Sequence, residues 1–436
     1  MGLEVFKNIP ADAPLIVAEA VWQYSHHVLA GLRAHCGPIL TVANFEPDWP
    51  GLVGLLGLNG GMTKMNIDYS TICSVDFTDE WFKEGIHSWV ETGTIKHDAS
   101  HLCPLPQLSD SAENTLGVAL ADQLLADKAI IGVFDEGCMG MYNAIIDDEL
   151  LNPIGIYKER LSQSALWAEM QTVADADADA DGQWLLDKGM TFRLGPDETT
   201  DLTPTQLRGQ YKMYIAALRI SDDFGLDAVG IQYQPGRFPR VVGGTGPPYL
   251  QRSRRMRRRR RACHQPGLDP ATTLHDVRWG EQVGDDFVWV YEISGSVPAS
   301  HLGGYQNAEG WRQGHVFFSA GGSTINGVSK PGEIVWSRLY IADNVLNLDI
   351  GRVSVVELPA EETQRRKQAT NPEWPIAHVV LHGVNRDQFM GQHKANHSQI
   401  VYAPDAETAD KALLAKAALF DRLGVRVHLC GTVNVR

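Results

Sequence analysis

The chain has no stretch approaching the roughly 20 consecutive apolar residues of a membrane-spanning helix. Its first residues lack the basic region, apolar core and small-residue cleavage site of a secretory signal. No membrane partner is therefore expected, and a cytoplasmic location is. Cysteine is scarce: Cys36, Cys73, Cys103, Cys138, Cys263 and Cys430 lie far apart without a CxxC pair, which excludes a zinc knuckle and a disulfide framework as expectations. Such isolated thiols are expected to be buried. Net positive charge is missing too, since 38 Lys and Arg against 53 Asp and Glu give −15 and argue against general nucleic-acid affinity. The basic charge is also unevenly placed. Eight arginines fall between Arg252 and Arg261, and without them the net charge would be −23.

What is present is ordinary for a globular protein of two or three domains: 436 residues, 44% apolar and 21% charged. Pro14-Leu-Ile-Val-Ala18 and Pro38-Ile-Leu-Thr-Val-Ala43 are expected as buried strands, and Val21 to Ala34 between them as a helix. That is a parallel α/β pattern. It begins again at Lys128-Ala-Ile-Ile-Gly-Val-Phe134, which is followed by the turn Glu136-Gly-Cys-Met-Gly140. The tract from Ala174 to Gly182 alternates Ala and Asp without the Gly and terminal Glu spacing of a calcium loop, so it is expected to be a solvated helix or loop. Leu226 to Gln234 is expected as another buried strand, with polar residues at the carboxyl end where ligands of such sheets bind. Downstream, Phe287 to Ile293, His315 to Ser319, Glu333 to Trp336 and Arg352 to Glu357 are expected strands of a mostly antiparallel β region. Thr408 to Leu423 has amphipathic helical spacing, and Val425 to Cys430 closes the chain as a strand.

Two segments carry the chemistry. His275-Asp-Val-Arg-Trp279 and Lys394-Ala-Asn-His397 offer a carboxylate and an imidazole beside β-rich apolar runs, the donors a divalent cation takes from two segments meeting in a cleft. Taken alone, Asp276 is more often a turn or cap residue and His397 a polar histidine with its hydrogen bonds met; His393 and His301 read as supporting or surface groups. With Cys138-Met-Gly-Met-Tyr-Asn143 and Gly230-Ile-Gln-Tyr-Gln234, however, they form four motifs in the order found in the L-fucose isomerase family, whose relatives include L-arabinose isomerase. The chain resembles that family over most of its length from about Leu15 onward.

The resemblance implies an aldose–ketose isomerase that acts on L-fucose, D-arabinose or a similar monosaccharide through an ene-diol. It also implies Mn²⁺, or another divalent cation, held by a Glu, an Asp and a His. On this match Asp276 is a metal ligand and acid/base, His397 is a metal ligand, and Met139, Gln232 and Asn396 line the sugar pocket. Met139 on its apolar turn is equally explained by packing. The implied architecture is α/β: two Rossmann-like parallel α/β domains, residues 1–124 and 125–265, followed by a β-rich C-terminal domain, residues 266–436. The metal would sit between the second and third, in a homo-oligomer that is a trimer or hexamer.

One ligand is missing. The family places its metal-binding Glu in a segment of the type F-N-E-V-D, at the position held here by Arg252 within Pro247-Pro-Tyr-Leu-Gln-Arg-Ser-Arg-Arg-Met-Arg257. That stretch has neither strand nor helix periodicity. Residues 235–266 read as translated out of frame: a forward shift of one nucleotide lets permitted codons for Leu250-Gln-Arg-Ser-Arg254 and the next arginine spell F-N-E-V-D, with the Glu overlapping Arg252. The other reading of the run, a patch for nucleic acid or an acidic partner, lacks interleaved aromatics and would interrupt a strand-rich region. As written, the chain is expected to have little or no activity, because arginine sets positive charge against a dication. The competing class is non-enzymatic, a damaged or repurposed sugar-binding relative. The family also opens with a further strand–helix unit, whereas the first strand here comes at Leu15, so a late start is expected.

Overall fold

Residues 2–19, 26–45, 51–106, 110–136, 142–187, 192, 194–196, 203–231, 269–294, 310–312, 323–325, 328–329, 331–369, 376–393 and 398–431 are described by the computed structural model. The first of them form helix α1 (Gly2–Phe6), strand β1 (Leu15–Glu19), α2 (His26–Ala34), β2 (Ile39–Asn44), α3 (Gly51–Lys64), β3 (Ser70–Ser74) and α4 (Glu80–Thr92). The three strands make a parallel sheet in the order β1-β2-β3. Helix α3 is apolar around its whole circumference and almost wholly buried, so tertiary packing outweighs the poor helix propensity of its glycines. Its one buried amide is satisfied: Thr41 Oγ1 donates to Asn59 Oδ1 at 2.8 Å and Asn59 Nδ2 to Thr71 Oγ1 at 2.9 Å, stitching helix to sheet.

Next come β4 (Leu102–Pro104) and α5 (Ala112–Asp127), then β5 (Ala129–Phe134), α6 (Asp148–Leu151), β6 (Ile156–Leu161), α7 (Gln163–Met170), α8 (Asp175–Asp187), α9 (Pro204–Asp223) and β7 (Ala228–Ile231). Strands β6-β5-β7 form a second parallel sheet. The Ala/Asp tract is helix α8. Ala178, Gly182 and Leu185 turn inward, and a Cβ on Gly182 would lie 2.5 Å from the Tyr211 ring of α9, while Asp179 and Asp175 pair with Arg208 and Lys212 outside. Strand β7 is less buried than expected: Leu226 before it is buried, but Ala228 to Gly230 are half-buried, and among the described residues β7 is the outermost strand of its sheet.

The remaining elements are β8 (Asp269–Val283), β9 (Asp286–Ser294), β10 (Gly310–Arg312), β11 (Ser323–Ile325), β12 (Gly332–Ala342), β13 (Val345–Val355), α10 (Ala360–Ala369), β14 (Ile376–Leu381), α11 (Arg386–Gln392), β15 (Ser398–Ala403), α12 (Ala406–Arg422) and β16 (Arg426–Cys430). The order β12-β15-β8-β9-β14-β13, with β13 pairing back onto β12, closes a six-stranded antiparallel barrel. Strand β16 runs parallel to β13, and β4 joins antiparallel beyond it. Ile334, Trp336, Val353, Val355, Val379, Trp289 and Ile400 share one face by register and pack in one core. The opposite face is roofed by α12, which also packs against α5. The hairpin β12–β13 is longer than the two short strands expected, because Asp343 and Asn344 form a two-residue turn with φ of 53° and 59°.

The α/β class stands, as do the expected strands around Leu15, Ile39, Ala129, Phe287 and Val427 and the helix ending near Leu423. The expected strand from His315 to Ser319 lies outside the described residues. The thiols need correction: Cys73 and Cys430 are buried, whereas Cys36 and Cys103 are exposed, and Cys138 and Cys263 are not among the described residues.

Candidate functional site

Asp276 lies on β8 opposite Glu292 of β9. The register around it is irregular. Leu274 pairs with Ile293, Asp276 with Glu292, Val277 with Tyr291 and Trp279 with Val290, so His275 and Arg278 are each skipped. An aspartate is thus flanked by two bulges, the device that bends a strand and re-aims its side chains beside functional sites. On the other edge of β8 runs β15, whose first residue, Ser398, pairs with Leu274. His397, Asn396 and the rest of their motif lie outside the described residues, but the strand they lead into adjoins the strand of Asp276.

Helix α11 delivers the chain to that motif. Its capping box, Asn385 with Gln388, fixes the start of the helix, and His393 at its end stacks on Phe389 with ring centroids 4.4 Å apart. Phe389 in turn packs on Trp289 of β9 at 4.6 Å. The far side of α11 meets β3 of the first sheet, the start of α4 and the segment after it, where Gln388 Nε2 donates to Asp98 Oδ2 at 2.7 Å and Arg386 lies over the Trp81 ring at 6.0 Å.

The carboxyl ends of the first sheet hold polar groups that the sequence reading missed. Glu19 closes β1 almost fully buried, and burial pushes its carboxyl up to about 8. Asn44 closes β2, and Gly51 at the start of α3 comes so close that a Cβ there would lie 2.5 Å from the Glu19 carbonyl oxygen. Ser74 closes β3 and donates to Asp79 through a short hydrogen bond. Phe45, one residue beyond β2, touches Trp289 with centroids 5.7 Å apart, so this edge of the sheet abuts the barrel. The available signal was a carboxylate at the end of the apolar run Leu15-Ile-Val-Ala-Glu19.

The second sheet contributes a different edge. Phe134 pairs with Ile231 in adjacent parallel strands, and the expected pocket residues Met139 and Gln232 follow beyond those carboxyl ends, outside the described residues. Glu136 after β5 is engaged by Lys158 and by Arg160 Nε at 2.8 Å, and Asp148 pairs with both cations, so this acidic pair is neutralised locally. The Arg160 and Lys158 contacts hold the Asp148 carboxyl below its usual range. Arg252 also lies outside the described residues. Among the described residues, no group of three or more His, Cys, Asp or Glu is placed to hold a metal ion, and no helix is long and apolar enough to cross a membrane. Neither a family model nor a curated protein matches the chain.

Proposed function

We propose that this chain is built as a metal-dependent aldose–ketose isomerase acting on L-fucose, D-arabinose or a similar monosaccharide, and that Arg252 leaves it with little or no activity as written. The observation that supports this most is the pairing of β8, which carries Asp276, with β15, the strand that follows the His397 motif in the chain. Asp276 sits between two bulges on β8, and the strand that begins directly after His397 pairs with β8 two residues away from it. The donor types fit a hard-to-borderline dication: Asp276 would give a carboxylate oxygen and His397 an imidazole nitrogen. When bound, Mn²⁺ supplies Lewis acidity toward two adjacent sugar oxygens. Asp276 would carry the proton between C1 and C2, the step an ene-diol path requires of a carboxylate in reach of both carbons. Met139, Gln232 and Asn396 would orient the sugar, and the protein would assemble as a trimer or hexamer in the cytoplasm.

Two protein ligands bind a dication weakly, and a guanidinium in the third place opposes it. That supports the second reading, a non-enzymatic damaged or repurposed sugar-binding relative. Titration with Mn²⁺ followed by an assay on L-fucose, D-arabinose and L-arabinose separates the two. The chain as written is expected to turn over none of them at an enzymatic rate, and its counterpart with a carboxylate restored at position 252 is expected to bind one Mn²⁺ and turn over at least one. In that restored protein Asp276→Asn is expected to weaken Mn²⁺ binding at least about 10-fold and to lower kcat by about 10² or more. Unchanged metal affinity in the Asn variant would remove Asp276 from the site.

A further inference from the structure

We propose that α10 is a proton-released cover on the barrel: protonation of His378 beneath it sets two buried cations together and lifts the helix off β8, β9 and β14. The helix Ala360-Glu-Glu-Thr-Gln-Arg-Arg-Lys-Gln-Ala369 has no large apolar side chain, and Arg366 is the residue it buries. Its seat therefore depends on that arginine. Arg366 Cζ lies 4.9 Å from the centroid of the Trp279 ring on β8, and Nη1 donates to the Val288 carbonyl oxygen of β9 at 3.1 Å. On the helix side Arg366 Nε donates to Glu362 Oε1 at 2.5 Å, and Arg365 engages both Glu362 and Glu281. A helix held by charged contacts with so little apolar burial opens locally at a fraction of the cost of unfolding.

His378 of β14 is the third group under the helix. Register sets it opposite Val290 of β9, which is itself opposite Trp279, so Trp279, Val290 and His378 form one row across three strands. Trp279, Arg366 and His378 are all buried. Neither ring nitrogen of His378 has a hydrogen-bond partner among the described residues, and Arg366 Nη2 has none either. A neutral ring tolerates this site far better than a charged one. Imidazolium would carry two N–H donors without acceptors, beside a guanidinium in a low dielectric. Among the described residues the charged groups acting on the ring are Arg366 and, in the opposite sense, Glu362, both on α10. Strand β9 presents Val290, and β13 the Val356 amide, which donates to the His378 carbonyl oxygen at 2.9 Å. Burial first, and Arg366 second, lower the imidazole from 6.5 to about 4. Opening α10 gives the ring to water, so the open form takes up the proton and gains on the closed form as pH falls from 6.5 toward 4. The cover shares β8 with Asp276 but uses none of the residues assigned to the metal.

Hydrogen exchange of the amides of residues 360–369, corrected for the intrinsic pH dependence of exchange, tests the cover without any ligand. The opening constant of α10 is expected to rise about 20-fold between pH 7 and pH 5. It is also expected to exceed that of β13 by about 100-fold or more at both pH values and to stay unchanged in up to about 1 M urea, as a local opening does. His378→Leu is expected to hold the rise below about threefold. Arg366→Met is expected to leave α10 open at both pH values while residues 346–355 of β13 stay protected, which separates loss of the cover from loss of the fold. A wild-type rise below about threefold, or a rise of about 20-fold that persists in His378→Leu, overturns the proposal. So does a single opening constant shared by α10 and β13, or a protected α10 in Arg366→Met.

Discussion

His378 sits on β14 with no exposed surface and with neither ring nitrogen hydrogen-bonded, facing Arg366 of α10, which is equally buried. Burial first, and the Arg366 charge second, push its imidazole down to about 4, with Glu362 opposing weakly. The folded protein keeps this ring neutral while the unfolded chain binds a proton below about 6.5, so stability present above that pH is lost as the pH falls toward 4. At pH 5 the loss is about 2 kcal/mol. His378→Leu is expected to remove it, so urea unfolding at pH 5 and pH 7 should differ less in the variant than in wild type; equal differences would refute the assignment. Glu19 works with the opposite sign. Its carboxyl, raised to about 8, stays protonated in the fold after the unfolded chain has ionised near 4.5, so stability declines as pH rises from 4.5 through 8. Glu19→Gln is expected to be more stable than wild type at pH 9 by on the order of 2–4 kcal/mol and nearly equal to it at pH 4. A gain that is the same at both pH values would contradict that account.

Among the elements, α8 shows two opposed effects whose sizes decide the outcome. Replacing Gly182 by Ala gains about 1 kcal/mol of helix propensity, but puts a methyl 2.5 Å from the buried Tyr211 ring, and such overpacking costs about 1–3 kcal/mol. Net destabilisation is expected on urea titration, and a stabilised variant would show that α9 yields. The same helix illustrates what the sequence reveals and what it hides. Short apolar runs such as Leu15 to Ala18 and Ala129 to Phe134 were legible as strands from their length and apolar content, but the burial expected of the first is not there, since Ile16 and Ala18 are exposed on β1. Helix α3 was passed over because a fully buried helix has no polar face and so no period to detect. The β12–β13 hairpin was cut short because its turn signal, Asp343-Asn344, lacks the glycine that usually marks it. Barrel closure depends on β13 pairing with both β12 and β14, a register between strands that no local pattern encodes.

At the scale of the whole molecule, the candidate site is a meeting of units. Asp276 and the strand after His397 belong to the barrel, Glu19 to the first sheet, Asp98 to the segment after α4, and the segments bearing Met139 and Gln232 follow strands of the second sheet. The motifs were legible because each keeps its residues contiguous. The bulges around Asp276, a detail of register between the consecutive strands β8 and β9, and the bond from Gln388 of α11 to Asp98, which joins segments 290 positions apart, were not. Position 252 is where this account is most exposed. Every other part of it asks for a carboxylate there, and the chain has an arginine among seven more. Resequencing the codons for Gln234 to Gly267 addresses that point directly. The account predicts that a one-nucleotide shift recovers an open frame with glutamate over position 252, in a segment of strand character. If the arginine codons are genuine and the shifted frame offers no glutamate, the claim that this chain was built as a metal-dependent sugar isomerase is contradicted.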